Sequence, residues 1–389
     1  MADLALYSLY AATSEQVLES RKRTHVQWGR GASLSEYLKR DARLDIHEHA
    51  RDGRLITWVL APRNDPSSLD FLCACETYRR EGFALAPGAT IADEVVLFAV
   101  ASVFTPERHR RKGAARRMMS LLHHVLAPLG SIPAPPASWG GPPPGPFPAN
   151  HVRGPASVLY SDVGSEFYRL AAPGGSDGSQ GWVVDNPRGT VWEVAPCLDE
   201  MQNVALDGLT SLSLDAAGEL WDCDSLLLRD NLANALPNRA TDETLISYAP
   251  RGGVAAFQVL RNVFFLESRG EPPLSSWGVQ LPTVGSSEDL VYATWSIDVE
   301  LELRTLIFTR IRCPQSKATE FIRILAAALK VAREYGLSRV EAWNCPEYLL
   351  EATGAWPSKT EDRSDHLPAV AWYGDGRVRW LNNEKFAWC

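Results

Sequence analysis

Between Val95 and Val125 the hydrophobic period changes without warning, and that change constrains the fold more than any other feature. Val95 to Phe104 is a run of apolar and β-branched residues, the pattern of a buried strand. Met118, Leu121, Leu122 and Val125 then fall at i, i+3, i+4 and i+7, one face of an amphipathic helix. Joining them is Pro106-Glu107-Arg108-His109-Arg110-Arg111-Lys112-Gly113-Ala114-Ala115. A strand feeding a helix through such a turn leaves several backbone N–H groups unpaired at the positive end of the helix dipole. That concavity suits a phosphate or pyrophosphate. Gly113 lets backbone approach the anion, Ala114 and Ala115 keep side chains away, and Arg110, Arg111 and Lys112 add charge. The spacing is neither G-x-x-x-x-G-K-[ST] nor G-x-G-x-x-G, which argues against nucleotide hydrolysis and dinucleotide binding.

The rest of the chain fits around this unit. Leu4 to Tyr10 reads as a strand, and Thr13-x-x-Gln16 and Ser33-x-x-Glu36 as capping boxes that open two helices. Ile56 to Leu60 and Phe71 to Tyr78 are further strands. Residues 131–150 hold eight prolines and read as a surface insertion, because the pattern resumes at once with a strand at Ser157 to Ser161. A short helix over Val163 to Leu170, a Gly/Ser loop over Gly174 to Gly181 and a closing strand at Val191 to Val194 complete this half. Beyond residue 200, Glu243 to Leu245 and Phe257 to Phe265 read as pieces of helix and strand. Thr305 to Arg312, Ala318 to Tyr335 and Val340 to Trp343 make a second strand–helix–strand run, echoing residues 95–161. With 389 residues the chain is expected to form two domains, over 1–200 and 201–389, the second a degenerate repeat of the first.

Composition excludes several classes. With 45% apolar and 22% charged residues the chain is globular, and a net charge of −8 argues against nucleic acid or anionic membrane as partner. No apolar run is long enough to span a bilayer, and the first residues lack a secretory pattern, so a cytoplasmic protein is expected. The seven scattered cysteines are expected to be reduced. His47-Glu48-His49 lacks zinc-site spacing and reads as solvated loop, so no metal is expected. His123-His124 reads as half-exposed helix surface. Trp388-Cys389, aromatic and close to the last residue, is expected to anchor its segment by packing, which could bring the end into the cleft.

Arg110-x-x-Gly113-x-Ala115 after Val103-Phe104-Thr105-Pro106 resembles motif A of the GNAT superfamily of N-acetyltransferases. Phe167-Tyr168 after the strand at Ser157 is similar to that superfamily's tyrosine-bearing helix. Cys75-Glu76-Thr77-Tyr78-Arg79, Leu159-Tyr160-Ser161-Asp162-Val163-Gly164 and Asn383-Glu384-Lys385-Phe386-Ala387-Trp388-Cys389 resemble a fungal GNAT family that includes the lysine N6-acetyltransferase of lysine catabolism. The resemblance implies an α/β (α+β) GNAT fold: a mixed, mostly antiparallel sheet flanked by helices, with a second GNAT-like α/β domain. It implies acetyl-CoA as co-substrate, held by Arg110, Arg111, Lys112, Gly113, Ala114 and Ala115, with the Val103 N–H polarising the acetyl carbonyl. Tyr168 would protonate the departing thiolate. Glu76, a carboxylate on an apolar strand, would be the base or would hold the substrate's α-ammonium. The acceptor is expected to be a small-molecule amine, first the ε-amino group of L-lysine. A polyamine, a fungal specialised metabolite, a protein substrate and non-catalytic acetyl-CoA binding are the alternatives; the oligomeric state is left open.

Overall fold

The computed structural model describes residues 3–175, 179–234, 240–282, 286–298, 304–354 and 356–389; residues 176–178 of the expected Gly/Ser loop lie outside the described residues. In chain order the elements are β1 (Tyr7–Ala11), α1 (Ser14–Trp28), α2 (Leu34–Asp45), β2 (Leu55–Pro62), β3 (Ala74–Leu85), β4 (Asp93–Phe104), α3 (Ala114–Leu126), β5 (Ala156–Ser161), α4 (Glu166–Arg169), β6 (Val183–Val184) and β7 (Arg188–Glu193). They continue with α5 (Leu198–Gln202), β8 (Thr210–Ser211), α6 (Leu214–Asn231), β9 (Glu243–Tyr248), α7 (Ala256–Ser268), β10 (Gly278–Gln280), β11 (Tyr292–Asp298) and β12 (Thr305–Arg312). Then come α8 (Phe321–Glu334), β13 (Arg339–Trp343), α9 (Glu347–Thr353), β14 (Lys359–Asp362), β15 (Leu367–Trp372) and β16 (Arg377–Trp380).

Local chemistry sets the helix starts. Thr13 accepts from the Gln16 N–H while the Gln16 side chain bonds the Thr13 N–H, and Ser33 and Glu36 do the same for α2. On α3, Met118, Leu121, Leu122 and Val125 are all fully buried, as their spacing requires. His123 is the exception to the sequence reading. It is buried rather than half-exposed, because its ring nitrogens meet Tyr373 Oη and the Ala171 carbonyl, each at 3.0 Å, and its ring stacks on Trp182 at 4.0 Å. His49 is likewise no solvated loop residue: it packs against Phe257 with ring centroids 4.8 Å apart. The proline-rich insertion is docked rather than loose, since Arg63 Nη2 donates to the carbonyls of Trp139 and Gly141 at 3.2 and 3.0 Å.

The strands form two sheets. The first runs β1-β2-β3-β4-β5-β15-β6, with β9 also paired to β3 and β16 to β9; the second runs β14-β7-β13-β12-β11-β10-β8. Sequence order and sheet membership therefore interleave. The strand expected to close the first half, β7, lies in the second sheet, antiparallel to β13, while β9, β15 and β16 join the first. Ala256–Ser268 is one helix rather than pieces.

Both sheets contain a parallel pair that comes apart. In the first, β4 and β5 pair from Leu97↔Ala156 to Val100↔Leu159 and no further. In the second, β12 and β13 pair only from Thr305↔Arg339 to Ile307↔Glu341. Each departing strand carries a bulge against its antiparallel neighbour. On β4, Ala101 faces Glu76 and Phe104 faces Ala74, leaving Ser102 and Val103 opposite the single residue Cys75. On β12, Phe308 faces Trp295 and Arg310 faces Thr294, leaving Thr309 as the extra residue.

Candidate active site

The parting of β4 from β5 opens a cavity of about 950 Å³. Ser102 at its edge adopts a left-handed φ of 53°, the conformation the bulge demands. Into this space the fold brings Glu76, Val103, Arg110, Arg111, Gly113, Ala114, Ala115 and Tyr168. Of the residues singled out in the sequence, Lys112 is not in the lining; its Nζ donates to the Arg108 carbonyl at 2.6 Å.

The strand–helix turn leaves open space at the start of α3. Gly113 caps α3 with φ +80°, and Arg111 has φ +59°. A Cβ at Gly113 would meet only Leu4 Cδ1, at 3.6 Å, so the space before the turn is open. Arg110 is steadied by its Nε bond to the Thr105 carbonyl at 3.0 Å.

Tyr168 comes from α4, its ring edge-on to Phe167 at 4.9 Å. Burial, with help from Cys75 and Asp162, raises its phenol above the ordinary range, so it stays protonated at neutral pH. Glu76 sits on β3 between Thr57 of β2 and Ala101 of β4. Burial pushes its carboxyl up, while Arg21 and a hydrogen bond from Ser102 hold it back; the net direction is up.

Around Glu76 lies a group of charges that the sequence reading did not single out. Arg21 of α1 forks onto Asp45 at 2.7 and 2.9 Å and lies 3.9 Å from Asp41. Burial opposes its charge, but Asp45 holds it firmly protonated. Asp41 is raised by burial despite Arg40 beside it. Arg21, Arg40, Asp41, Asp45 and Glu76 all line the cavity, three carboxylates to two guanidinium groups, with Arg40 Nη2 on Asp41 Oδ1 at 2.7 Å. Asp41 and Asp45 are one helical turn apart, a spacing that could have marked a common face of α2. A second pair was also missed: His366 Nδ1 lies 2.8 Å from Asp162 Oδ1, and both line the cavity. They come from residues two hundred apart, joined only because β15 pairs with β5. Trp388 and Cys389 complete the wall.

Among the described residues no three His, Cys, Asp or Glu side chains gather as metal ligands, and no helix is long and apolar enough to cross a membrane. All seven cysteines are free thiols.

A family described as the LYC1 GNAT-like C-terminal domain matches residues 195–389, half of the chain. The chain belongs to this GNAT family. It is of the fungal lysine acetyltransferase-like type, in agreement with the resemblance read from its motifs. A lysine acetyltransferase of Yarrowia lipolytica is 30% identical over 113 residues, covering 29% of this chain and 28% of the relative's own length. The solved structure of a GCN5-related N-acetyltransferase from Anabaena variabilis is 9% identical, with a TM-score of 0.51 over 95% of this chain and 73% of that one. That likeness bears on the fold, which is the two-part α/β GNAT architecture expected from the sequence.

Proposed function

We propose that this GNAT protein transfers an acetyl group from acetyl-CoA to a small cationic amine, with the ε-amino group of L-lysine as first choice. One observation carries the reading: a single cavity is lined by the basic turn Arg110–Ala115, by the bulge at Val103, by Tyr168 and by the carboxylate cluster around Glu76. The turn would hold the pyrophosphate through N–H groups and guanidinium charge. The splay between β4 and β5 would take the pantetheine arm. The cluster of Asp41, Asp45 and Glu76 favours a positively charged acceptor, because its three carboxylates outnumber the guanidinium groups of Arg21 and Arg40.

The chemistry balances within these groups. The neutral amine nitrogen attacks the thioester carbonyl carbon, forming the C–N bond and an oxyanion that the Val103 N–H would receive. Collapse breaks the C–S bond; the thiolate takes the Tyr168 proton, and the surplus amine proton passes to Glu76, directly or through water. A free lysine amine has a pKa of about 10.4, so a base near it is needed at neutral pH. Tyr168 suits the acid role because burial keeps it protonated, and Glu76 suits the base because its raised carboxyl is a stronger proton acceptor than an ordinary glutamate.

The same carboxylate cluster also favours a polyamine, and a thiol-release assay separates the readings. Acetyl-CoA is offered with lysine, ornithine, spermidine and a histone tail peptide. Release is expected with lysine first. Preference for spermidine would replace lysine, preference for the peptide would make a protein the acceptor, and tight acetyl-CoA binding without release on any amine would overturn the transferase reading.

A further inference from the structure

One short segment closes the cleft of the second sheet and walls the cavity of the first. Residues 383–387 contact both β12 and β13 beyond the point where their pairing stops. Ile311 N–H donates to Glu384 Oε2 at 2.7 Å, Arg310 donates to Glu384 Oε1, and Asn344 Nδ2 donates to the Asn383 carbonyl at 2.6 Å. Lys385 Nζ lies 4.4 Å from the centre of the Trp343 ring.

The anchor is a buried ionic cluster. Arg310 Nε donates to Asp224 Oδ2 at 2.7 Å, Tyr292 Oη donates to the same oxygen at 2.7 Å, and Arg312 Nη1 reaches Asp224 Oδ1 at 3.3 Å. Arg310, Asp224 and Glu384 are all buried. Two guanidinium groups thus face two carboxylates from three separate elements. A buried group of this kind adds little net stability over an apolar one of equal volume, but its geometry fixes register, and removing one member leaves a buried charge uncompensated.

Past Glu384 the segment is held to β3 of the first sheet and to α7. Arg80 Nη1 donates to the Ala387 carbonyl at 2.6 Å and Gln258 Nε2 to the Trp388 carbonyl at 2.6 Å. Arg261 stacks on the Trp388 ring at 4.6 Å. Trp388 and Cys389 then line the cavity that contains Glu76 and His366.

We infer that Glu384, acting through Arg310, is a positioning residue: it sets the register of residues 383–389 and so the place of Trp388 and Cys389 in the acceptor part of the cavity. This rests on the acetyltransferase reading for the identity of the acceptor, but the mechanical link does not. The second parallel pair is then a holder for the wall of the first.

The test uses Glu384→Gln, Glu384→Asp and Trp388→Ala in the full chain. Steady-state kinetics with each substrate varied should show a split. Glu384→Gln raises the KM for the amine about tenfold and leaves that for acetyl-CoA within about twofold, because only the acceptor wall has moved. Glu384→Asp restores part of the loss, and Trp388→Ala reproduces the amine effect with the anchor intact. A folded Glu384→Gln protein with both KM values unchanged, or both raised alike, would overturn the inference. Hydrogen exchange of the 385–389 amides is read in parallel and is expected to quicken in Glu384→Gln. If the wild type turns over no amine, the transferase reading fails, and unchanged exchange in the variant would then sink the positioning role separately.

Discussion

The β4–α3–β5 and β12–α8–β13 units share an order, a parallel pair that parts early, and a bulge on the departing strand, yet one surrounds a cavity and the other a packed core. The first difference is in the turn. The β4–α3 turn carries Arg110, Arg111 and a left-handed Gly113, whereas the β12–α8 connection is a 3₁₀ run, Gln315–Glu320, with no glycine and a single basic residue, Lys317. The second lies in the parting of the strands. Past β4 the space is open to Glu76 and Tyr168, while past β12 it is filled by Glu384 and the fully buried Phe386. The third is at the bulge itself: the residue opposite its edge is the carboxylate Glu76, facing Ala101, in the first unit, and Thr294, bonded to the extra residue Thr309 at 2.8 Å, in the second. The shared backbone supplies a cleft twice, and the turn and the occupant decide which cleft stays open.

Removing the occupant should break that contrast most severely. Phe386→Ala empties a fully buried position in the second cleft and is expected to cost about 3–5 kcal/mol of stability, read by denaturant unfolding. A loss under about 1 kcal/mol would mean that the segment merely lies over an already complete core.

The turn is next. Gly113→Glu places a carboxylate and an unfavourable φ where the pyrophosphate is proposed to sit, and acetyl-CoA affinity should fall at least about 100-fold, roughly 2.7 kcal/mol. Ser316→Glu, exposed in the corresponding turn of the second unit, should leave affinity unchanged, and titration calorimetry of the wild type should give one site per chain. Two sites per chain would erase the distinction between the units.

At the bulge, Glu76→Gln should lower kcat/KM about 10- to 100-fold, short of the full effect of a lost base because water can take over part of the task. The wild-type profile should rise with pH through a group titrating above the ordinary carboxylate range, since burial raises Glu76 and the ionised form is the proposed base. The variant should lose that limb. An unchanged profile would assign Glu76 to binding instead.

Local features were readable before the fold was known. Both capping boxes, the buried face of α3 and the order of the second unit follow from residues within a few positions of one another. The candidate site was readable only where it is local: the turn and Tyr168, which line the cavity, lie on short stretches with their own signature. Arg21, Asp41 and Asp45 were missed because charged residues on a helix ordinarily face water, and only the approach of α1 and α2 to β3 turns them inward. His366 and Asp162 meet through a strand pairing between residues two hundred apart, for which periodicity carries no partner information. The same blindness affected β7, whose pattern shows a strand but not which sheet receives it.

His123 separates the two units by a smaller effect. It lies on α3, fully buried and held neutral, its pKa lowered to about 3 chiefly by burial. The buried face of α8, from Phe321 through Ile324, Leu325 and Leu329, carries no titratable group. The unfolded chain binds a proton at His123 near pH 6.5 and the folded chain does not. Stability from this residue is therefore present at neutral pH and is lost as pH falls below about 6.5, until the folded value is reached. Between about pH 7 and pH 5.5 the loss should be roughly 1 kcal/mol, before any contribution from His49, which burial also lowers to about 3. His123→Gln, with an amide able to meet Tyr373 or the Ala171 carbonyl, should start less stable but lose about 1 kcal/mol less over the same interval in denaturant unfolding. Equal pH slopes in variant and wild type would show that acid acts elsewhere, and that the α3 unit is no more acid-sensitive than its apolar counterpart.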